Sequence, residues 1–114
     1  MPKRKPTPTN TITTAVLNYL NLNGFYVFRV NNQGTFDPVK KLYRFNNQTK
    51  GIADIIGVTP KGRFIAVEVK GTKTDKQSEH QKEFQLKVQR AGGLYILARS
   101  LDDIIKLIEG GVLR

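Results

Sequence analysis

Hydrophobic and polar positions along the chain follow two periods. Ile12, Ala15, Val16, Tyr19 and Leu20 recur at helical spacing and predict a helix beginning near Thr11 with one apolar stripe. Thr9 or Asn10 stands where an N-cap belongs, and Asn23-Gly24 supplies a stop. Phe25 to Val30 is aromatic and β-branched and reads as a strand. Asn31 to Pro38 is polar and carries Gly34 and Pro38, which predicts a loop; Lys40 to Phe45 reads as a short strand and Asn46 to Lys50 as a second loop. Two apolar runs follow, Ile52 to Val58 and Arg63 to Val69, separated by Thr59-Pro60-Lys61-Gly62. Proline at the first corner and glycine two places later suit a type I turn closed by a left-handed glycine bulge, so the two runs form a hairpin.

The second half switches back to the helical period. Polar residues Lys73 to Gln77 lead into a helix over Ser78 to Ala91, with Phe84, Val88 and Ala91 along one side and Gln81 one turn before Phe84. Ser78 and Gln81 have capping-box spacing, and Gly92-Gly93 ends the helix. Leu94 to Arg99 is a strand, and Ser100 caps a last helix carrying Leu101, Ile104, Ile105 and Ile108. The sheet and its helices run α-β-β-β-α-β-α, a mixed α/β domain with a central sheet flanked by helices. No internal repeat or boundary divides residues 11–114, which read as one domain. Residues 1–10, with three prolines beside Lys3, Arg4 and Lys5, read as a disordered basic tail that either touches phosphates or serves as a solubilising leader.

Composition narrows the function classes. The 114 residues suffice for one core without staples. The chain has no cysteine, which excludes disulfides, thiolate zinc sites and cysteine nucleophiles and fits a reducing, cytoplasmic setting. No apolar run reaches the ~20 residues of a membrane helix, and Met1 to Asn10 lack the apolar core of a signal peptide, so no membrane role is expected. Lysine and arginine number 19 against 9 acids, a formal charge of +10, which points to a polyanionic partner such as nucleic acid.

The candidate chemistry lies in the hairpin. Alternation puts Ile65, Val67 and Val69 on one face of their strand and Phe64, Ala66, Glu68 and Lys70 on the other. If Pro60-Lys61-Gly62 forms a three-residue turn, Thr59 pairs with Arg63 and Asp54 lies opposite Glu68; a two-residue turn moves Asp54 to the other face. Opposed carboxylates repel, and a divalent cation between them removes that cost. Carboxylates and backbone oxygen favour Mg2+, and Mn2+ fits the same cage. A lysine beside them stabilises charge developing on a phosphate or orients the attacking water. Glu-x-Lys alone is common on solvated strands. An aspartate inside the apolar Ile52-Ala53-Asp54-Ile55-Ile56 run, however, is costly without a partner. His80, the one histidine, suits an exposed helix position or a phosphate contact better than a general base.

Gly51-Ile52-Ala53-Asp54-Ile55-Ile56-Gly57, then Ala66-Val67-Glu68-Val69-Lys70, then Gln81, resemble the VRR-NUC family, a branch of the PD-(D/E)xK nuclease superfamily. Ala91 to Ala98 followed by Ser100-Leu101-Asp102-Asp103 resembles the end of that domain, and the likeness spans roughly Thr11 to Ile105. It implies a restriction-endonuclease-like fold and a Mg2+- or Mn2+-dependent DNA endonuclease. Stand-alone members of this size, several of them phage-encoded, resemble Holliday-junction resolvases acting as homodimers on branched DNA. By position, Asp54 and Glu68 would be metal ligands with the Val69 carbonyl a third, Lys70 the catalytic lysine, and Gln81 a site residue contacting water or phosphate. Without the resemblance, Gln81 reads as an exposed helix glutamine. Arg29 matches arginines near the site in relatives. Asn32, Lys40, Lys41, Arg44, Lys50, Lys73 and Lys76 are candidates for phosphate contact as a set. One departure is plain: relatives commonly carry a glutamate early in the first helix, where this chain has Thr9, Asn10, Thr11 and Thr13 and no acid before Asp37. Either the site works with fewer carboxylates or activity is weak. The same residues also allow a catalytically inactive DNA-binding module, or an adaptor whose Glu68–Lys70 pair is only an ion pair.

Overall fold

The computed structural model describes residues 8–30, 34–45 and 49–113. Helix α1 (Pro8–Leu22) starts earlier than its apolar stripe does. Proline has no N–H, and the first turn of a helix leaves its N–H groups unpaired in any case, so Pro8 fits the first helical position. Thr9 and Asn10 thus lie in the first turn and not at the N-cap, and Thr13 Oγ1 donates to the Thr9 carbonyl at 2.7 Å. Residues 1–7 of the expected tail lie outside the described residues.

A four-stranded sheet in the order β1-β4-β5-β6 forms the centre. Strands β1 (Tyr26–Arg29), β4 (Ile55–Val58) and β5 (Phe64–Val69) are antiparallel, and β6 (Leu94–Ala98) lies parallel to β5 after the crossover through helix α2 (Glu79–Arg90). Helix α3 (Leu101–Glu109) closes the domain, with Ser100 as its N-cap. The central order is the expected α-β-β-β-α-β-α. The segment expected as a loop over Asn31 to Pro38 differs: Gly34–Asp37 is strand β2, paired with β3 (Leu42–Phe45) in a separate two-stranded sheet. Gly34 and Asp37 disfavour a strand locally, and the cross-strand partner outweighs them.

Two cores lie on the two faces of the main sheet. Val16 and Leu20 of α1 and Ile104 of α3 pack against Val27, Ile55, Ile65, Val67 and Val69. Full burial of each such side chain is worth about 1.5–3 kcal/mol. The opposite face carries a smaller cluster, in which Val88 and Phe84 of α2 meet Ala53, Ile56, Ala66 and Tyr95. The strand alternation expected for β5 therefore holds, and it leaves Glu68 on the α2 face.

Candidate active site

The turn sets the site's register. Thr59 N–H donates to Arg63 O and Gly62 N–H to Thr59 O, each at 2.8 Å. Gly62 takes the left-handed φ of 83° that the glycine bulge requires. Pairing then runs from Val58↔Phe64 to Ile55↔Val67. One step further, Asp54 stands across from Glu68 on the α2 face, as the three-residue turn demands.

Asp54 ends the ladder in its own way. Its backbone carbonyl accepts the Val30 N–H at 2.8 Å, and its Oδ2 accepts the Val69 N–H at 2.8 Å. The carboxylate thereby replaces a backbone partner for β5 and is held in one orientation. Within a strand, N–H and C=O of one residue point to the same side, so the Val69 carbonyl shares the edge that faces Asp54.

Glu68 is 3% exposed. Its Oε1 accepts from Gln81 Nε2 at 3.1 Å, and its Oε2 is buried with no hydrogen-bond partner. Burial, reinforced by the charge of the facing Asp54 carboxylate and only partly offset by Lys70, pushes the Glu68 carboxyl up to about 9. Lys70 leaves β5 with its N–H on the Ala98 carbonyl at 2.9 Å, and its Nζ donates to Gln81 Oε1 at 3.0 Å.

Gln81 therefore links the acid to the lysine, and it also caps its helix. Gln81 Oε1 accepts the Ser78 N–H at 2.8 Å, while Ser78 Oγ accepts the Gln81 N–H at 3.2 Å, completing the capping box. Two donors on Oε1 fix which end of the amide faces Glu68. Behind the acids, Tyr95 OH accepts from Gln77 Nε2 at 3.1 Å. Burial raises the Tyr95 phenol to about 12 against the lowering effect of Gln77, with Glu68 and Asp54 adding to the rise.

Two contacts that sequence reasoning missed hold this arrangement. Gly51, at φ 75°, passes so close to α2 that a Cβ there would lie 2.2 Å from the His80 carbonyl carbon and 2.6 Å from Gln81 N. A glycine in a polar turn hints at positive φ, but nothing local reveals the helix it meets. Arg99 reaches back to the loop after Lys70, donating to the Thr72 carbonyl and, at 2.9 Å, to the Asp75 carbonyl.

The remaining candidates scatter. Arg29 extends on the α1 face, opposite the acids, and donates to Asn10 Oδ1 in the first turn of α1, where no acid stands. Lys50, Lys73 and Lys76 are exposed on segments that adjoin the site in sequence, and Lys40 and Lys41 are exposed in the turn between β2 and β3. Arg44 lies in β3. Asn32 lies outside the described residues. His80 is a surface residue of α2, 4.0 Å from Glu83. Among the described residues, no three or more of His, Cys, Asp and Glu are grouped to hold a metal ion, so the acidic donors at this site are the pair Asp54 and Glu68. No helix of the described residues is long and apolar enough to cross a membrane.

A hairpin that sets two acids face to face on a mixed sheet, with a lysine one pleat on and helices on both sides, has the framework of a nuclease-type domain. The VRR-NUC domain model matches residues 31–102, and the chain belongs to that nuclease family. Two solved structures are similar in fold. One, described as a VRR-NUC domain, superposes with a TM-score of 0.65 at 19% identity over 91% of this chain and 97% of its own. The other, a VRR-NUC domain protein, gives 0.62 at 18% identity over 94% and 89%. No curated protein sequence matches the chain.

Proposed function

We propose that this domain is a Mg2+- or Mn2+-dependent endonuclease that hydrolyses phosphodiester bonds in branched DNA, four-way junctions above all, and that it works as a homodimer. The observation that carries this reading is the facing pair Asp54 and Glu68, with one buried Glu68 oxygen lacking any partner. An unpartnered buried carboxylate oxygen beside a second carboxylate is costly, and a hard divalent cation relieves it. Asp54, Glu68 and the Val69 carbonyl suit such a cation as donors. Mg2+ usually keeps several waters, so a third carboxylate is not required. When bound, the cation polarises the phosphate and lowers the pKa of water.

The chain's own groups supply the rest. Lys70 carries its ammonium beside Glu68 and stabilises charge developing on the phosphate. Gln81 holds Lys70 and Glu68 in register and offers its amide to water or phosphate. Lys40, Lys41, Arg44, Lys50, Lys73 and Lys76 act as a set on the backbone phosphates, in keeping with the net charge of +10. A dimer would match the two-fold symmetry of a four-way junction.

A second reading, a DNA-binding module with weak or no catalysis, is favoured by one feature: α1 begins without an acid, and Asn10 there is bonded to Arg29. The deciding experiment compares labelled four-way junction with a linear duplex of matched sequence in Mg2+, Mn2+ or EDTA. Metal-dependent nicking that prefers the junction supports the resolvase-like nuclease. Nicking of both alike keeps the nuclease and removes the junction preference. Binding without nicking in either metal establishes the second reading.

A further inference from the structure

The sheet face that carries Asp54 and Glu68 is not fully covered by α2. Beyond the small cluster under Phe84 and Val88, the face continues onto β1. Tyr26 pairs with Val58 and Phe28 with Ile56, so all four point to the α2 side. Tyr26 is 71% exposed and Phe28 48%, and Val58 and Phe64 beside them are 38% and 39% exposed. The Tyr26 and Phe28 rings lie 6.2 Å apart, edge to face at 60°, which leaves a ring face open to solvent. An edge strand with one solvated face would ordinarily carry polar residues there.

We infer that the Tyr26–Phe28 strip is a stacking platform for unpaired nucleobases of the strand whose backbone enters the Asp54–Glu68 site; the inference rests on the nuclease reading above for the identity of that strand. Three observations support it. The platform and the acids share one sheet face. Phe28 lies one strand over and two residues along from Asp54, roughly 8 Å between backbones from standard sheet spacings. That equals about two stacked nucleotides at about 3.4 Å each. Finally, the exposed cations Lys61 and Arg63, in the turn and strand next to Val58 and Phe64, border the strip at that end, on a chain of charge +10. Such a border opposes a second copy of the same face and attracts a polyanion. Aromatic rings within a basic surface take single strands with little sequence preference, because every base has a flat face. The platform thus favours DNA whose bases can unpair next to the cleaved phosphate, as at the branch point of a junction.

The test is equilibrium binding in EDTA, where no cleavage is needed. A fluorescent oligothymidine and the same strand with abasic residues are titrated by anisotropy, with sedimentation of the protein in parallel. The wild type should lose roughly 5- to 150-fold in affinity for each stacked base removed. Tyr26→Ala/Phe28→Ala should bind both strands alike while keeping the salt dependence of binding, since its phosphate contacts remain. Tyr26→Ala/Phe28→Trp, which returns one ring, should restore the preference for the base-bearing strand. Both positions are exposed, so the fold is not at risk. Equal wild-type affinity for the two strands overturns the inference, as does discrimination that survives the double substitution. If the double variant binds as before but sediments as a smaller species, the strip is a self-association surface and the inference fails. If discrimination follows the rings while no metal supports cleavage, the platform stands and the nuclease reading falls.

Discussion

Gln81 donates through Nε2 to Glu68 Oε1 at 3.1 Å, and the same amide's oxygen receives both Lys70 and the Ser78 N–H. One side chain therefore joins the start of a helix to the acid and base of the site. Loosening the helix cap should loosen the site. Ser78→Ala is expected to cost about 1 kcal/mol, as loss of an N-cap does. Cleavage should fall by more than that loss of folded protein explains, because Gln81 gains freedom. Thermal melts beside single-turnover cleavage check this, and Ser78→Thr should recover both.

Glu68 sets a pH dependence of stability. Its carboxyl is raised from 4.5 to about 9 in the fold. Below 4.5 it is protonated in folded and unfolded chains alike, and its full contribution is present. As pH rises toward about 9 the unfolded chain ionises and the folded one resists, so stability falls across that window. Glu68→Gln removes this loss. In EDTA, the variant should gain in melting temperature over wild type as pH goes from about 5 to about 9. A gap that stays constant with pH would contradict the shift.

The same group should link any cation binding to proton release. A divalent cation between Asp54 and Glu68 requires the ionised acid, so binding should expel a proton near neutral pH. Calorimetric titration with Mg2+ or Mn2+ in buffers of differing ionisation enthalpy measures that proton directly. Asp54→Asn should abolish the binding, and Glu68→Gln should abolish both binding and proton release.

Gly51 is expected to tolerate no side chain. Gly51→Ala would add strain of roughly 1–2 kcal/mol from its positive φ. It would also drive a methyl group into the His80 backbone, at an ideal separation of 2.2 Å. The first turn of α2 must then shift, carrying Gln81 with it. A destabilised protein with impaired cleavage is predicted, read by melts and by activity at a temperature where the variant remains folded. Gly62→Ala, whose Cβ would meet nothing within 4 Å, provides the control for φ strain alone.

What was legible in the sequence was local. Pro60 and Gly62 announce the turn, the turn fixes the register, and the register places Asp54 opposite Glu68. Ser78 and Gln81 announce the cap through their spacing. Features that depend on distant partners stayed hidden. Gly34–Asp37 becomes a strand only because Leu42–Phe45 pairs with it. The contact of Gly51 with α2 crosses 29 residues of chain to His80, and no local pattern encodes it. Arg29 resembles site arginines by its position in the chain, yet strand alternation turns it to the α1 face, where Asn10 receives it. Tyr26 and Phe28 looked like ordinary strand residues, since composition does not say that β1 is an edge strand that α2 leaves uncovered.

Asp54, Glu68 and Lys70 are proposed to form one hydrolytic centre. The measurement that tests it most directly is single-turnover nicking of a labelled junction in Mn2+, at matched fractions of DNA bound, by wild type, Lys70→Ala and Glu68→Gln. Nicking by the wild type is expected, abolished by EDTA, with losses of roughly 100-fold or more in each variant and little change in DNA affinity. Nicking that persists in both variants, or that continues in EDTA, would contradict it.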